Sequence, residues 1–247
     1  MDTSAYDVFL VIGQSNTHWG YGGVDPVLDA PQDNIVQLGL HGENNLKVIP
    51  AKEPLDHHTK DANKIGFALT FAKAYAKQFL ASDRKVLIIP GGFGGTGFVD
   101  NRWNKGDDLY NFAVYRTNYI LEKYPNSKIK AILWHQGEAD VQSQVYQSRL
   151  DAMIVNLRND LGSSPNAPIP FILGGMVPYW VDKYAVGHQE NIIKQTVNRL
   201  PKIGYADPRV PFVITKLDNA YDEIHFNAEG QREMGRRYFA EYTRVAN

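Results

Sequence analysis

The chain has 247 residues, a formal net charge of -1 and no cysteine. This length fits one sizeable α/β domain. The near-neutral charge argues against the broad basic surface that nucleic acids and anionic membranes bind, and the absence of cysteine excludes disulfides, thiolate nucleophiles and Cys-rich zinc sites.

No apolar run approaches the roughly twenty residues that cross a bilayer, so we expect a soluble protein. The first strand begins too early for a secretory leader to precede it. We therefore expect either a cytoplasmic protein or the mature form of a secreted one, and the oligomeric state stays open.

Short apolar runs alternate with helical periodicity along the chain, which is typical of a mainly parallel sheet covered by helices on both faces. The predicted strands are residues 6–13, 85–90, 129–135, 169–174 and, on a weaker pattern, 211–215. Two further weak strand patterns, 34–38 and 46–49, lie in an insert rich in Gly, Pro, Asn and Asp that is expected to form part of the site rim.

Apolar residues at three-and-four spacing predict helices near residues 64–80, 107–124 and 142–161. A last helix is predicted to begin at Asn227, a favourable N-cap residue. No internal repeat or linker divides the chain, which predicts one domain over residues 1–247.

Ser15 is the candidate nucleophile, because it comes directly after the first predicted strand. Ligands of open α/β sheets bind beyond the carboxyl ends of the strands. Serine is a weak nucleophile that needs a neighbouring base, and His225 fits that role. Asp222, three residues earlier, is placed to orient the imidazole, so the three residues predict a catalytic triad.

An acyl-transfer site also needs hydrogen-bond donors where the carbonyl oxygen gains negative charge. The expected donors are the backbone N–H of Ser15, an N–H of Gly94 or Gly95, and the side-chain amide of Gln136. The glycines follow the predicted strand 85–90, and Gln136 follows the predicted strand 129–135. These segments are therefore expected at the same edge of the sheet as Ser15.

Four motifs, taken in this order, resemble the SGNH-hydrolase superfamily: GQSN at 13–16, GGTGF at 94–98 with Trp103 after it, WHQGEAD at 134–140 and DEIH at 222–225. Within it they are most similar to carbohydrate esterase family 6 and the sialate O-acetylesterase-like group. The similarity spans nearly the whole chain. A glutamine in place of the usual asparagine at the third oxyanion position favours this branch over the lipase-like one.

The resemblance implies a three-layer, flavodoxin-like α/β/α sandwich and a serine esterase that uses no metal or other cofactor. It also implies removal of acetyl groups from sugar hydroxyls. By position, Ser15 matches the nucleophile, and Asp222 and His225 match the acid and base. The Gly94-Gly95 pair and Gln136 match the oxyanion hole.

Four other residues near these motifs are candidates for substrate binding or for support of the triad. They are Gln14, Asn16, Trp103 and Glu138. Glu138 is expected to hold its loop by a hydrogen bond rather than to form a glycosidase pair with Asp140, because such carboxylates usually come from separate segments.

The aromatic residues Trp19, Trp103, Tyr179 and Trp180 lie near predicted strand ends. Each has two interpretations, a platform for a sugar ring or core packing. The histidines at 41, 57 and 58 lack the helical spacing of metal-ligand motifs and are expected to be solvated loop residues.

The sequence therefore predicts a metal-independent carbohydrate O-acetylesterase that acts on acetylated xylan oligosaccharides or sialic acid-like glycans. Two alternatives stay open: a serine esterase of another short acyl ester, and a non-catalytic glycan-binding module on the same fold. No nucleic-acid or membrane partner is expected.

Overall fold

The computed structural model describes residues 4–215 and 222–246. Its strands are β1 (Tyr6–Gly13), β2 (Ile35–Leu38), β3 (Val48–Pro50), β4 (Lys85–Gly92), β5 (Lys128–His135), β6 (Phe171–Gly174) and β7 (Ile203–Ala206). They form one seven-stranded sheet in the order β3-β2-β4-β1-β5-β6-β7. Only the β2–β3 pair is antiparallel. Without that hairpin, β4-β1-β5-β6-β7 is the 2-1-3-4-5 order of flavodoxin-like folds, which confirms the predicted fold class.

The helices cover both faces of the sheet. They are α1 (Ala68–Phe79), α2 (Asp108–Lys123), α3 (Tyr146–Asp160), α4 (Pro178–Lys183), α5 (Gly187–Gln195) and α6 (Ala228–Ala246). Helices α1 and α6 share one hydrophobic core with Phe9 and Val11 of β1. Helices α2 and α3 share the other with Val8, Leu10 and Ile12. Strand β1 is apolar throughout because it lies between two cores.

Most predicted elements are confirmed. Helices α1 and α3 begin a few residues after their predicted starts at 64 and 142. Ile65, near the start of the first predicted helix, instead forms a β-bridge with Gly20. Within the described residues, no helix is both long and apolar enough to cross a bilayer.

The prediction of a strand at 211–215 is wrong. This segment is irregular, and Phe212 is 57% exposed. The edge strand is β7, which the sequence pattern missed because it has only four residues, one of them glycine. The pattern also missed α4, which has six residues, and α5, which buries only Gln189 and Ile193.

The carboxyl ends of β1, β4 and β5 meet at one edge of the sheet, where Gly13 pairs with Gly92 and His135. Gly13 has a φ of +127°, and a Cβ atom there would lie 2.1 Å from the backbone oxygen of His135. Only glycine fits this position, because the backbone there has a positive φ and lies too close to β5 to leave room for a Cβ atom. The chain can then turn from β1 directly into the short 3₁₀ helix Ser15–Thr17.

Candidate active site

Ser15, His225 and Asp222 form a continuous hydrogen-bonded chain although they come from opposite ends of the sequence. Ser15 Oγ lies 2.7 Å from His225 Nε2, and His225 Nδ1 lies 2.6 Å from Asp222 Oδ2. In a neutral imidazole, Nδ1–H donates to the carboxylate and Nε2 accepts from the serine hydroxyl. This arrangement can take the proton of Ser15 as the hydroxyl attacks an ester.

Asp222 accepts hydrogen bonds at both carboxylate oxygens. Its Oδ1 accepts the backbone N–H groups of Ile224 at 3.1 Å and His225 at 3.0 Å. Burial raises the pKa of Asp222, but hydrogen bonds from Tyr21 and His225, with the charge of His225, outweigh burial and hold this pKa well below its ordinary value. A charged Asp222 fixes the tautomer and orientation of His225.

Asn16, the residue after the nucleophile, forms hydrogen bonds with the backbone on both sides of His225. Its Nδ2 donates to the carbonyl of Ile224 at 2.9 Å, and its Oδ1 accepts the N–H of Phe226 at 3.1 Å. Nδ2 also donates to Glu138 Oε1 at 2.6 Å. Since Asn16 is fully buried and its amide is engaged internally, it is placed to hold His225 against Ser15 rather than to bind substrate.

The triad opens into a cavity of about 580 Å³. Its walls come from the ends of β1, β4 and β5, the insert after β1 and the loop before α6. The lining residues are Gln14, Ser15, Trp19, Thr59, Gly94, Gly95, Glu138, Ala139, Ile224 and His225. Trp19 is thus the one of the four aromatic candidates that lines this cavity.

Backbone donors for an oxyanion lie next to Ser15. A Cβ atom at Gly94 would lie 3.6 Å from Ser15 Cβ, in ordinary contact, whereas Gly95 has a φ of +72° and faces open space. The N–H groups of Ser15 and both glycines donate to no other group in the described part of the chain. The Cβ direction of Gly94 therefore faces the nucleophile, whereas that of Gly95 does not.

Gln136, the expected side-chain donor of the oxyanion hole, has its amide engaged away from the cavity. Gln136 is fully buried, and its Nε2 donates to Asp140 Oδ2 at 2.7 Å and to the carbonyl of Thr96 at 3.3 Å. Asp140 also accepts the N–H groups of Phe98 and Val99. Gln136 thus braces the loop after β4 and does not line the cavity.

Gln14 carries a second side-chain amide, next to Ser15 in the chain. Its Oε1 accepts the N–H of Ala139 at 3.1 Å and, more weakly, that of Gly137 at 3.5 Å. Nothing in the described residues accepts from its Nε2, and Gln14 lines the cavity beside Ser15. Because the oxygen end of the amide is fixed, the nitrogen end is available as a donor to a bound ester.

The candidates Glu138 and Trp103 lie in different surroundings. Glu138 lines the cavity, and burial raises its pKa to about 7, against the opposing effect of hydrogen bonds from its own backbone and from Asn16. Trp103 is fully buried in the core, where its Nε1 donates to Thr96 Oγ1 at 3.0 Å. Of the two interpretations of Trp103, these contacts support core packing, because its ring also packs against Trp134.

The expectation that the histidines of the insert are solvated is wrong for His57, whereas His41 is exposed. His57 is fully buried, accepts the N–H of Gly92 at its Nδ1 (2.9 Å) and stacks on His18. His58 packs on Phe93 and Phe112. Within residues 4–215 and 222–246, no group of three His, Cys, Asp or Glu side chains is arranged to hold a metal ion.

Comparison with known proteins places these features in a family. Residues 5–244 match the family described as carbohydrate esterase, sialic acid-specific acetylesterase. The chain belongs to this family of carbohydrate esterases. A probable carbohydrate esterase of Arabidopsis thaliana, At4g34215, is 32% identical over 250 residues, covering 92% of this chain and 86% of that protein.

Solved structures of related proteins share the fold. The crystal structure of NanS has a TM-score of 0.84 at 22% identity and covers 99% of this chain and 98% of its own. The structure of the Arabidopsis protein has a TM-score of 0.77 at 25% identity, covering 98% and 99%. XAC1771, a carbohydrate acetylesterase from Xanthomonas citri, has a TM-score of 0.65 at 17% identity, covering 97% of this chain and 56% of its own.

In this carbohydrate esterase, we expect Asn16→Ala to lower kcat by about 10- to 100-fold, with a smaller change in KM, because loss of the Ile224 and Phe226 contacts displaces His225. The buried N–H of Phe226 also loses its acceptor, which costs about 1–3 kcal/mol in the free energy of unfolding. Steady-state kinetics and thermal unfolding check both effects. Asn198→Ala, at an exposed site, is the control; equal kcat in both variants contradicts the role of Asn16.

Glu138 is expected to make stability depend on pH. Its pKa is about 7 in the folded esterase and about 4.3 in an unfolded chain. Because the folded state holds the proton more tightly, its stabilising contribution is complete below about pH 4 and is lost as pH rises through about 7.

We therefore expect Glu138→Gln to remove part of the fall in Tm between about pH 5 and pH 8, as measured by thermal unfolding of parent and variant. Glu229→Gln, at an exposed carboxyl of α6, is the control. Parallel Tm profiles for parent and Glu138→Gln contradict this role.

Proposed function

We propose that the chain is a serine-dependent O-acetylesterase that removes acetyl groups from sugar hydroxyls, with acetylated xylan oligosaccharides or sialic acid-like glycans as substrates. The observation that carries this proposal is the Ser15–His225–Asp222 chain at the cavity of a protein in a carbohydrate esterase family. The free donors beside Ser15 support acyl transfer rather than glycan binding alone.

In the first half of the reaction, Ser15 Oγ attacks the acetyl carbonyl carbon while His225 Nε2 takes the hydroxyl proton. The carbonyl oxygen becomes an oxyanion, which accepts hydrogen bonds from the N–H groups of Ser15 and Gly94 and from Gln14 Nε2. The bond between the carbonyl carbon and the sugar oxygen then breaks. His225 gives its proton to that oxygen, and an acetyl group remains on Ser15.

In the second half, His225 takes a proton from water, and the hydroxide oxygen attacks the acetyl carbon through the same oxyanion geometry. The bond to Ser15 Oγ breaks, His225 returns the proton to the serine, and acetic acid leaves and loses its proton to solvent as acetate. Asp222 keeps its charge throughout and stabilises the imidazolium in both halves.

The experiment that tests the substrate is acetate release from acetylated xylo-oligosaccharides and O-acetylated sialic acid, followed by a series of longer acyl groups on the better sugar. A small acyl site lowers kcat/KM by about 10- to 200-fold for a methylene that does not fit. Faster hydrolysis of longer acyl groups favours an esterase of another class, and tight glycan binding without turnover favours a binding module.

A further inference from the structure

A chain of hydrogen bonds runs from the end of β1 to the rim of the cavity through residues that the triad does not use. Thr17 Oγ1 donates to the backbone carbonyl of Gln14 at 2.7 Å and lies 2.6 Å from His18 Nδ1. On the other side of the ring, His18 Nε2 lies 2.8 Å from Thr59 Oγ1. Thr59 is half-buried and lines the cavity together with Ser15.

The surroundings of His18 hold its ring in place. The His57 ring stacks on it with the centroids 4.6 Å apart. A Cβ atom at Gly92 would lie 1.9 Å from Thr17 Oγ1 and 2.9 Å from His18 Nδ1, so the glycine leaves room for both groups. Burial, followed by the nearby His225 and His58, lowers the pKa of His18 to about 3. The ring is therefore neutral and carries one proton.

The position of that proton follows from the partners. A backbone carbonyl only accepts hydrogen bonds, so the single hydroxyl proton of Thr17 is donated to the carbonyl of Gln14. Thr17 Oγ1 must then accept from His18 Nδ1, which places the ring proton on Nδ1. His18 Nε2 is left as an acceptor, and the hydroxyl proton of Thr59 points to it.

Thr59 consequently offers the cavity only the lone pairs of its oxygen. This oxygen lies near the nucleophile, since a Cβ atom at Gly94 would lie 3.6 Å from Ser15 Cβ and 3.8 Å from Thr59 Oγ1. An oxygen that can only accept recognises a donor such as a hydroxyl group. The acetyl group has no such donor, whereas the sugar that carries it does.

We propose that Thr59 is a specificity-determining residue that accepts a hydrogen bond from a free hydroxyl of the acetylated sugar, and that His18 is the positioning residue that orients it. This inference rests on the proposed function, because it requires a sugar in the cavity. It predicts discrimination between a sugar acetate and an aryl acetate that has no hydroxyl.

The test uses Thr59→Val, which keeps the shape but removes the oxygen, and Thr59→Ser, which keeps the hydroxyl. We expect Thr59→Val to lower kcat/KM for an O-acetylated sugar by about 10-fold, the effect of one lost hydrogen bond. Hydrolysis of 4-nitrophenyl acetate should fall by a clearly smaller factor than hydrolysis of the sugar acetate, and Thr59→Ser should restore sugar hydrolysis. Thermal unfolding confirms that each variant is folded.

A second measurement varies the substrate. The parent protein should prefer the acetylated sugar over deoxy analogues that lack a hydroxyl next to the acetylated carbon, and Thr59→Val should lose this preference. Equal loss of aryl and sugar hydrolysis overturns the proposal, as does an unchanged preference. If the parent hydrolyses the aryl ester but no sugar acetate, the proposed function fails, and the role of Thr59 fails with it.

Discussion

Replacing His225 by alanine is expected to lower kcat for ester hydrolysis by about 10⁴- to 10⁶-fold, because Ser15 loses the only base within hydrogen-bond reach of its Oγ in the described residues. KM should change little, since alanine leaves the cavity open. Steady-state hydrolysis of 4-nitrophenyl acetate measures both constants without requiring a particular sugar.

Two further variants sharpen this test. Asp222→Asn keeps the size of the side chain but removes its charge, and we expect a loss of about 10⁴-fold in kcat. His188→Ala, at an exposed histidine of α5, should match the parent. Activity within about 10-fold of the parent in His225→Ala would show that another group activates the nucleophile.

The second large effect is expected at Gln14. Loss of one preorganised oxyanion donor lowers kcat by about 10²- to 10³-fold. We expect this result for Gln14→Leu and for Gln14→Glu, which keeps an acceptor for the Ala139 N–H but has no amide donor. KM should stay near the parent value, because the donor acts on charge that develops in the transition state.

Gln136 supplies the matched control, since it has the same side chain and lies outside the cavity. Gln136→Leu removes the donor to Asp140 and should lower the Tm while the folded protein keeps kcat within about 10-fold of the parent. The opposite pattern, a kinetic loss at Gln136 and none at Gln14, would return the oxyanion role to Gln136.

The sequence predicted which strand ends meet, because that follows from parallel pairing of apolar runs. Ser15 lies two residues after the end of β1, and Asp222 and His225 lie three residues apart in the loop before α6. Because Asp222 and His225 are close in sequence, local geometry alone can bring them together. The loop that holds them, before α6, reaches the same edge of the sheet as Ser15. The triad was therefore a prediction that needed little knowledge of side-chain directions.

Gln14 and Gln136 could not be ranked from the sequence, because both follow strands that end at this edge. The choice depends on what each amide contacts: a buried carboxylate draws the Gln136 amide inward, while two backbone N–H groups fix the oxygen of Gln14. The two interpretations of Trp103 could not be ranked for the same reason, since adjacency to a glycine-rich loop does not say whether a ring faces the core or the cavity.

Thr59 and His18 carried no motif that could have singled them out. They lie 41 positions apart, in an insert that is held by contacts with β4, including the β2–β4 pairing and the His57–Gly92 hydrogen bond, rather than by a repeating pattern. The misjudged segment 211–215 shows the converse, because its apolar composition resembles a buried strand although most of its side chains are exposed.

The most direct measurement is acetate release from an O-acetylated sugar by the parent protein and by Ser15→Ala, with thermal unfolding as the check on folding. We expect the parent to release acetate and Ser15→Ala to be slower by at least about 10⁴-fold, because no acetyl-enzyme can form. Acetate release by a folded Ser15→Ala variant at the parent rate would contradict the serine mechanism.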